Sequence, residues 1–159
     1  MADIVAHTME YIGGPVESSL ALERYSDRYF EEYKNIYEDC FREMRTALEL
    51  HPIDACDSRE ELLKKQNDIY VYAENNIMIG SVAIYGNEID DLVVAKKYQR
   101  KGYGKLLLKF AVSRIQKKSD SAILLHVADW NKPAINLYLK NGFRILETEV
   151  VRTNGSTQG

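Results

Sequence analysis

The sequence predicts an α/β domain built on a mixed central sheet. Three observations lead there. Hydrophobic spacing switches between the helical and the strand period along the chain, giving the order β-α-α-β-β-β-α-β-α-β. The segments 88–95, 104–117 and 122–128 form a strand-helix-strand unit whose crossover joins parallel strands. The last of these, AILLHVA, is near-continuously apolar, as a strand covered on both faces should be.

Each element has its own signal. Residues 3–12 (DIVAHTMEYI) read as a first strand, stopped by Gly13, Gly14 and Pro15. Apolar positions at Tyr25, Tyr29, Tyr33, Ile36, Tyr37, Cys40, Met44 and Leu48 follow a helical period and predict one long helix with an aromatic stripe facing the sheet. Ser58 and Glu61 make a capping box, so a short helix should cover 59–66. Residues 69–73 (IYVYA) and 77–85 (IMIGSVAIY) are strands joined by Asn75-Asn76, and Gly86-Asn87 turns the chain into EIDDLVVA. A helix with Leu107, Leu108, Ala111 and Ile115 inward follows. Asn131 then caps a helix with Pro133 in its first turn, Asn141-Gly142 ends it, and 143–152 is a last strand. These elements make one domain over residues 1–152, with 153–159 (TNGSTQG) a disordered tail.

Bulk properties exclude several function classes. A net charge of −3 and a pI near 5.7 argue against general nucleic-acid binding, which needs broad positive potential. No apolar run is long enough to span a membrane, and the first residues, with Asp3, His7 and Glu10, do not resemble a secretory signal. Cys40 and Cys56 lack metal-ligand spacing and are too few for a disulfide framework, which points to a reducing, cytoplasmic setting. His7, His51 and His126 show no ligand spacing either, so no metal is expected, and His126 reads as a satisfied strand histidine.

Against that acidic background one stretch stands out: KKYQRKGYGKLLLKF at 96–110. Gly102 and Gly104 let the backbone approach a ligand closely, and the first turn of the following helix has amides without internal partners. With Arg100, Lys101 and Lys105 alongside, this is an anion site suited to a pyrophosphate. Walker A does not fit, since Lys105 is followed by Leu106. The dinucleotide fingerprint does not fit either, its third glycine being Leu107.

The run Gln99-Arg-Lys-Gly102-Tyr-Gly104 is a Q-x-x-G-x-G and closely resembles the acyl-CoA signature of the GNAT superfamily of N-acyltransferases. LVV at 92–94 precedes it as that family's L-x-V does, and NKPAINLYLKNGF at 131–143 matches its N-x-x-A-x-x-L-Y-x-x-x-G-F motif. The resemblance implies an acetyl-CoA donor whose pyrophosphate lies on the backbone N–H groups of Arg100, Lys101, Gly102, Tyr103, Gly104 and Lys105, behind Gln99. It implies main-chain pairing of the pantetheine arm with Leu92 and Val94, the side chains of 92–94, Val93 included, serving the core. It also implies that strands 88–95 and 122–128 splay apart, that the Leu92 N–H faces the thioester carbonyl, and that Asn131 and Ala134 lie against the cofactor. Tyr138 occupies the position from which the family tyrosine protonates the departing thiolate. The family usually has a seventh strand, which this chain ends too early to show, so that strand is either missing or supplied by a partner subunit in a homodimer.

Glu88 falls where some members of that family place their general base. It lies about 13 Å from Leu92 along an extended strand, a distance that calls for a water relay; Asp90 is nearer. The expected activity is therefore transfer of an acetyl group from acetyl-CoA to an amine by direct attack, with a non-catalytic acyl-CoA sensor of the same fold as the rival. From Glu23 through Glu61 acids outnumber bases twelve to six, which predicts a small-molecule or peptide acceptor that is itself cationic.

Overall fold

The computed structural model describes residues 3–152; the segment read as a disordered tail lies outside them. Strand β1 (Asp3–Tyr11) is followed by a two-residue β2 (Glu23–Arg24) and a 3-10 turn at Asp27–Tyr29 that leads into helix α1 (Phe30–Ala47). Helix α2 (Arg59–Lys64) starts on the capping box: the Glu61 N–H donates to Ser58 Oγ at 3.2 Å and the Ser58 N–H to Glu61 Oε1 at 2.9 Å. A meander of β3 (Ile69–Glu74), β4 (Ile77–Tyr85) and β5 (Glu88–Val94) follows. Asn75 and Asn76, with φ of 53° and 63°, form its first turn. Then come α3 (Tyr103–Lys118), β6 (Leu124–Ala128), α4 (Lys132–Lys140) and β7 (Phe143–Arg152).

The strands assemble into one seven-stranded sheet in the order β2-β3-β4-β5-β6-β1-β7, parallel only between β5 and β6. The sequence reading missed β2, whose two residues, Glu23 and Arg24, carry no periodicity. With β2 the chain supplies all seven strands itself. The N-terminal strand is interior: β1 runs antiparallel to both neighbours, pairing His7 with Val127 of β6 and with Thr148 of β7.

Helices α3 and α4 cover one face over a core that includes Met9, Val82, Ile89, Leu107, Leu108, Leu125 and Tyr138. Helices α1 and α2 cover the other face, burying the tyrosine stripe (Tyr25, Tyr29, Tyr33) with Leu62, Val71, Met78 and Val93. Helix α1 packs on β4 and β5 and stops there. Strand β6 is consequently covered on one face only, with Leu125 and Val127 buried and the intervening His126 side chain 60% exposed. The expectation of a strand buried on both faces is thus corrected: its apolar run reflects one deep face plus the wall of a cleft.

Met9 is fully buried at the centre of β1. Met9→Ala is expected to destabilise the fold by about 2–5 kcal/mol, read from the denaturant midpoint at unchanged m-value. A loss below about 1 kcal/mol would show that β1 is not an integral strand of the sheet.

Candidate active site

The site begins with an irregularity in β5. Ala83 pairs with Asp90 and Ser81 with Val93, so Asp91 and Leu92 together oppose Val82. This is a β-bulge, and Asp91 sits in it at φ 47°. Gly80 allows the two strands to close beside it, since a Cβ there would stand 2.6 Å from the Val93 carbonyl oxygen. The bulge bends β5 away from β6, whose pairing with it ends after Glu88 with Leu124 and Ile89 with Leu125. The Ala95 N–H donates to Ile79 O at 2.8 Å, so alternation turns the main-chain groups of Val93 toward β4 and those of Leu92 and Val94 into the gap.

The parted strands open a cleft of about 220 Å³. Tyr37, Phe41, Met44 and Arg45 of α1 form one wall, Asp90, Asp91 and Leu92 of β5 face them, and His126 to Ala128 of β6 with Asn131, Ala134 and Tyr138 complete it. Tyr138 is 9% exposed, and burial, with a smaller contribution from the Asp90 charge, pushes its phenol up to about 12. Asn131 caps α4, its Oδ1 accepting the Ala134 N–H at 3.3 Å.

The carboxylates of β5 are in unlike surroundings. Asp91 is largely withdrawn from water; desolvation, then the neighbouring Asp90 charge, raise its pKa to about 6 against the opposing pull of the Tyr37 hydroxyl and Lys65. The Tyr37 hydroxyl donates to Asp91 Oδ1 at 3.3 Å. Asp90 is exposed and, among the described residues, accepts only the Asp91 N–H, at 2.8 Å. Glu88 does not line the cleft. It reaches the wall through His126, whose Nε2 lies 2.8 Å from Glu88 Oε1 and whose Nδ1 lies 3.0 Å from Thr8 Oγ1. Sequence reasoning did not single out Arg45, Phe41 or Met44 as site residues. Nor did it separate Asp91 from Asp90, because a positive φ at an aspartate leaves no trace in the spacing.

Beyond the end of β5 the chain makes a 3-10 turn at Lys96–Tyr98 and enters α3 through Gly102 at φ 90°, with Arg100 also left-handed at φ 65°. Alternation of hand along such a segment turns successive N–H groups to one side, forming a nest for an anion. Among the described residues none of the main-chain N–H groups from Arg100 through Lys105 has a protein acceptor; Leu106 is the first to donate, to Gly102 O at 3.2 Å. Nothing lies within 4 Å of a Cβ built on Gly102. Lys96, Lys97, Arg100, Lys101 and Lys105 form no ion pair among the described residues, and Lys97 and Lys101 lie over the Tyr98 ring. The Gln99 side-chain amide donates to Val94 O at 2.9 Å and ties the loop to the strand, while Cys40 Sγ approaches the same oxygen at 3.2 Å. Tyr103 packs edge-on against Tyr72.

Half of the twelve acids of 23–61 are held in ion pairs, and most of the excess of acids over bases remains. Glu23 pairs with Arg28, Asp39 and Asp54 with Arg42, Asp27 and Glu31 with Arg59, and Asp57 with Lys65. The carboxylates that face the cleft belong to β5.

Comparison with known proteins agrees with this arrangement. A sequence model of the Acetyltransferase (GNAT) family matches residues 30–143. The chain is 30% identical over 106 residues to the L-ornithine N5-acetyltransferase of Arabidopsis thaliana, covering 60% of this chain and 43% of that one. It is 30% identical over 128 residues to streptothricin acetyltransferase A of Bacillus subtilis, covering 77% of this chain and 63% of that one, so it spans less than two thirds of either relative. The crystal structure of the PaiA N-acetyltransferase from Thermoplasma acidophilum, in complex with coenzyme A, shares the fold at a TM-score of 0.67 and 23% identity, over 81% of this chain and 92% of that one.

The raised pKa of Asp91 has a measurable sign. The folded state holds the Asp91 proton more tightly than the unfolded state does, so ionised Asp91 opposes folding above pH 6, and that cost disappears as pH falls through 6 toward 4. Asp91→Asn is therefore expected to be more stable than the parent at pH 7.5, by on the order of 2–3 kcal/mol, with the difference shrinking below pH 6. Denaturant midpoints across this range test it; a pH-independent difference would mean that Asp91 is not desolvated.

Proposed function

The chain belongs to the GNAT family of acetyltransferases, and on that footing we propose that it transfers the acetyl group of acetyl-CoA to a primary amine by direct attack in a ternary complex. The observation that carries this reading is the adjacency of two backbone surfaces, one without protein acceptors and one turned into the gap, where the Gln99 amide and Cys40 hold the Val94 carbonyl. One is the run of free N–H groups from Arg100 through Lys105, and the other is the pair of gap-facing residues Leu92 and Val94. The first suits a pyrophosphate and the second an extended amide-bearing arm, and the two together are the chemistry of coenzyme A. The donor supplies an activated thioester. Its arm would bond to the Val94 carbonyl only where the Gln99 amide swings aside.

Roles within the cleft follow from its charges. In this reading the Leu92 N–H, turned into the gap, stabilises negative charge developing on the thioester oxygen. Asp90 and Asp91 are two carboxylates whose environments set them apart: the exposed one suits holding an ammonium, and the buried one, titrating near 6, suits taking its proton. Glu88 is left a supporting part through His126. As the C–N bond forms and the C–S bond breaks, the amine proton passes to the β5 carboxylates and Tyr138 donates to the departing sulfur. Burial keeps Tyr138 protonated throughout the neutral range. The named acceptors of the two curated relatives, ornithine and streptothricin, support an amine as acceptor here.

Coenzyme A is expected to raise the melting temperature of the parent and of Lys117→Glu, which lies at the far end of α3, but hardly that of Arg100→Glu. Equal shifts in the two variants would remove the cradle from the loop. In an acetyl-transfer assay over a panel of amines, Tyr138→Phe is expected to lower turnover about a hundredfold while leaving coenzyme A affinity nearly intact. Cofactor binding with no transfer to any amine would instead identify a sensor.

A further inference from the structure

Four arginines border the acceptor side of the sheet, and three are neutralised. Arg28 pairs with Glu23, Arg42 with Asp39 and Asp54, and Arg59 with Asp27 and Glu31. Arg45 is the exception. Its Nε donates to the Pro52 carbonyl at 2.8 Å, and among the described residues the rest of its guanidinium meets no carboxylate. It is also the arginine that lines the cleft. A guanidinium carries five N–H donors, so one bond to a carbonyl leaves a two-pronged face able to take a planar anion. The Pro52 contact fixes the head in place, which removes part of the entropy cost of holding a ligand.

The rest of the wall sets a spacing. Tyr37 touches Asp91, and Arg45 follows it by eight residues on the same helix, about 12 Å along the axis. That separation keeps Arg45 from neutralising the β5 carboxylates. The long arginine stem, leaning toward the helix N-terminus, covers part of it. Phe41 and Met44 line the cleft between the two charged ends with apolar surface. Negative charge at one end, an apolar stretch, and one fixed positive charge at the other are complementary to a molecule with a cation, an alkyl spacer and an anion.

We propose that Arg45 binds a carboxylate of the acceptor, so that the preferred substrates are diamino acids or like-built ω-amino acids. The reacting amine then lies at Asp90 and Asp91 and the spacer on Phe41 and Met44. This rests on the acetyl-transfer reading above and narrows its acceptor class. A diamino acid still carries the second positive charge expected from the sequence, but beside a carboxylate that Arg45 can hold.

The test compares acceptors that differ only in the anion: L-lysine against cadaverine, which has the same chain without the carboxylate, and against lysine amide. The parent is expected to prefer lysine. Arg45→Gln is expected to lose about tenfold to a hundredfold in kcat/KM for lysine, carried by KM, while cadaverine and lysine amide change little. Arg45→Lys should recover part of the loss. Acceptor binding is read separately, as the rise in melting temperature that lysine gives the coenzyme A-bound protein, present in the parent and absent in Arg45→Gln. Equal effects of Arg45→Gln on lysine and cadaverine, or a parent that favours cadaverine, would overturn the proposal. If no amine is acetylated yet lysine still stabilises the protein through Arg45, the anion site stands and the transfer reading falls.

Discussion

Everything distinctive about this domain depends on the β-bulge at Asp91 and Leu92. One extra residue opposite Val82 gives β5 a local bend, and β6 cannot follow it. The separation of the two strands is therefore a property of backbone geometry. It does three things at once: it opens the cleft, turns the main-chain groups of Leu92 and Val94 away from β4, and carries the Asp91 carboxyl into a poorly hydrated position under Tyr37. Burial of a carboxylate and exposure of backbone hydrogen-bonding groups both cost stability. The core on each side of the sheet, with Val93 at 2% exposure and Ile89 at 4%, holds the bend in place.

The site divides into two electrostatic halves that meet at β5. On one side lie a loop of exposed cations and unpaired N–H groups; on the other, half of the acids of 23–61 are matched with bases, and Asp90, Asp91 and Arg45 line the cleft. Counting charges along the chain gives the net acidity of that segment but not which acids are held, as Asp39 and Asp54 are by Arg42 and Asp27 is by Arg59. The neutralised pairs lie at the surface and contribute little to stability, but they determine which charges remain for a ligand.

What was legible in the sequence was what depends on local chemistry. The capping box at Ser58, the Asn75-Asn76 turn and the glycine loop before α3 occupy the positions their residue types require, whereas the predicted long helix starts only at Phe30, with Tyr25 bonded to β3 ahead of it. Elements set by distant partners were not legible. The strand at Glu23–Arg24 exists because Tyr70 and Val71 offer an edge. The exposed face of β6 follows from where α1 ends, at Ala47, far back along the chain from Leu124. In the candidate site the same division holds: Tyr138 and the loop 99–105 came from pattern, whereas the contrast between Asp90 and Asp91 arises from a bulge that no spacing announces.

The interior position of β1 has a consequence for how the molecule comes into being. His7 hydrogen bonds with Asp129 and Thr148, which lie 122 and 141 residues further along the chain. Both strands that flank β1 therefore follow all the other strands of the domain in the chain. During synthesis the meander of β3, β4 and β5 can form beneath α1, whereas β1, made before them, waits with its hydrogen-bonding groups open on both sides. Closure of such distant contacts is slow, and an unpaired apolar strand is prone to pair with whatever is near. Within this domain the strand made earliest is the one whose place in the sheet is fixed last.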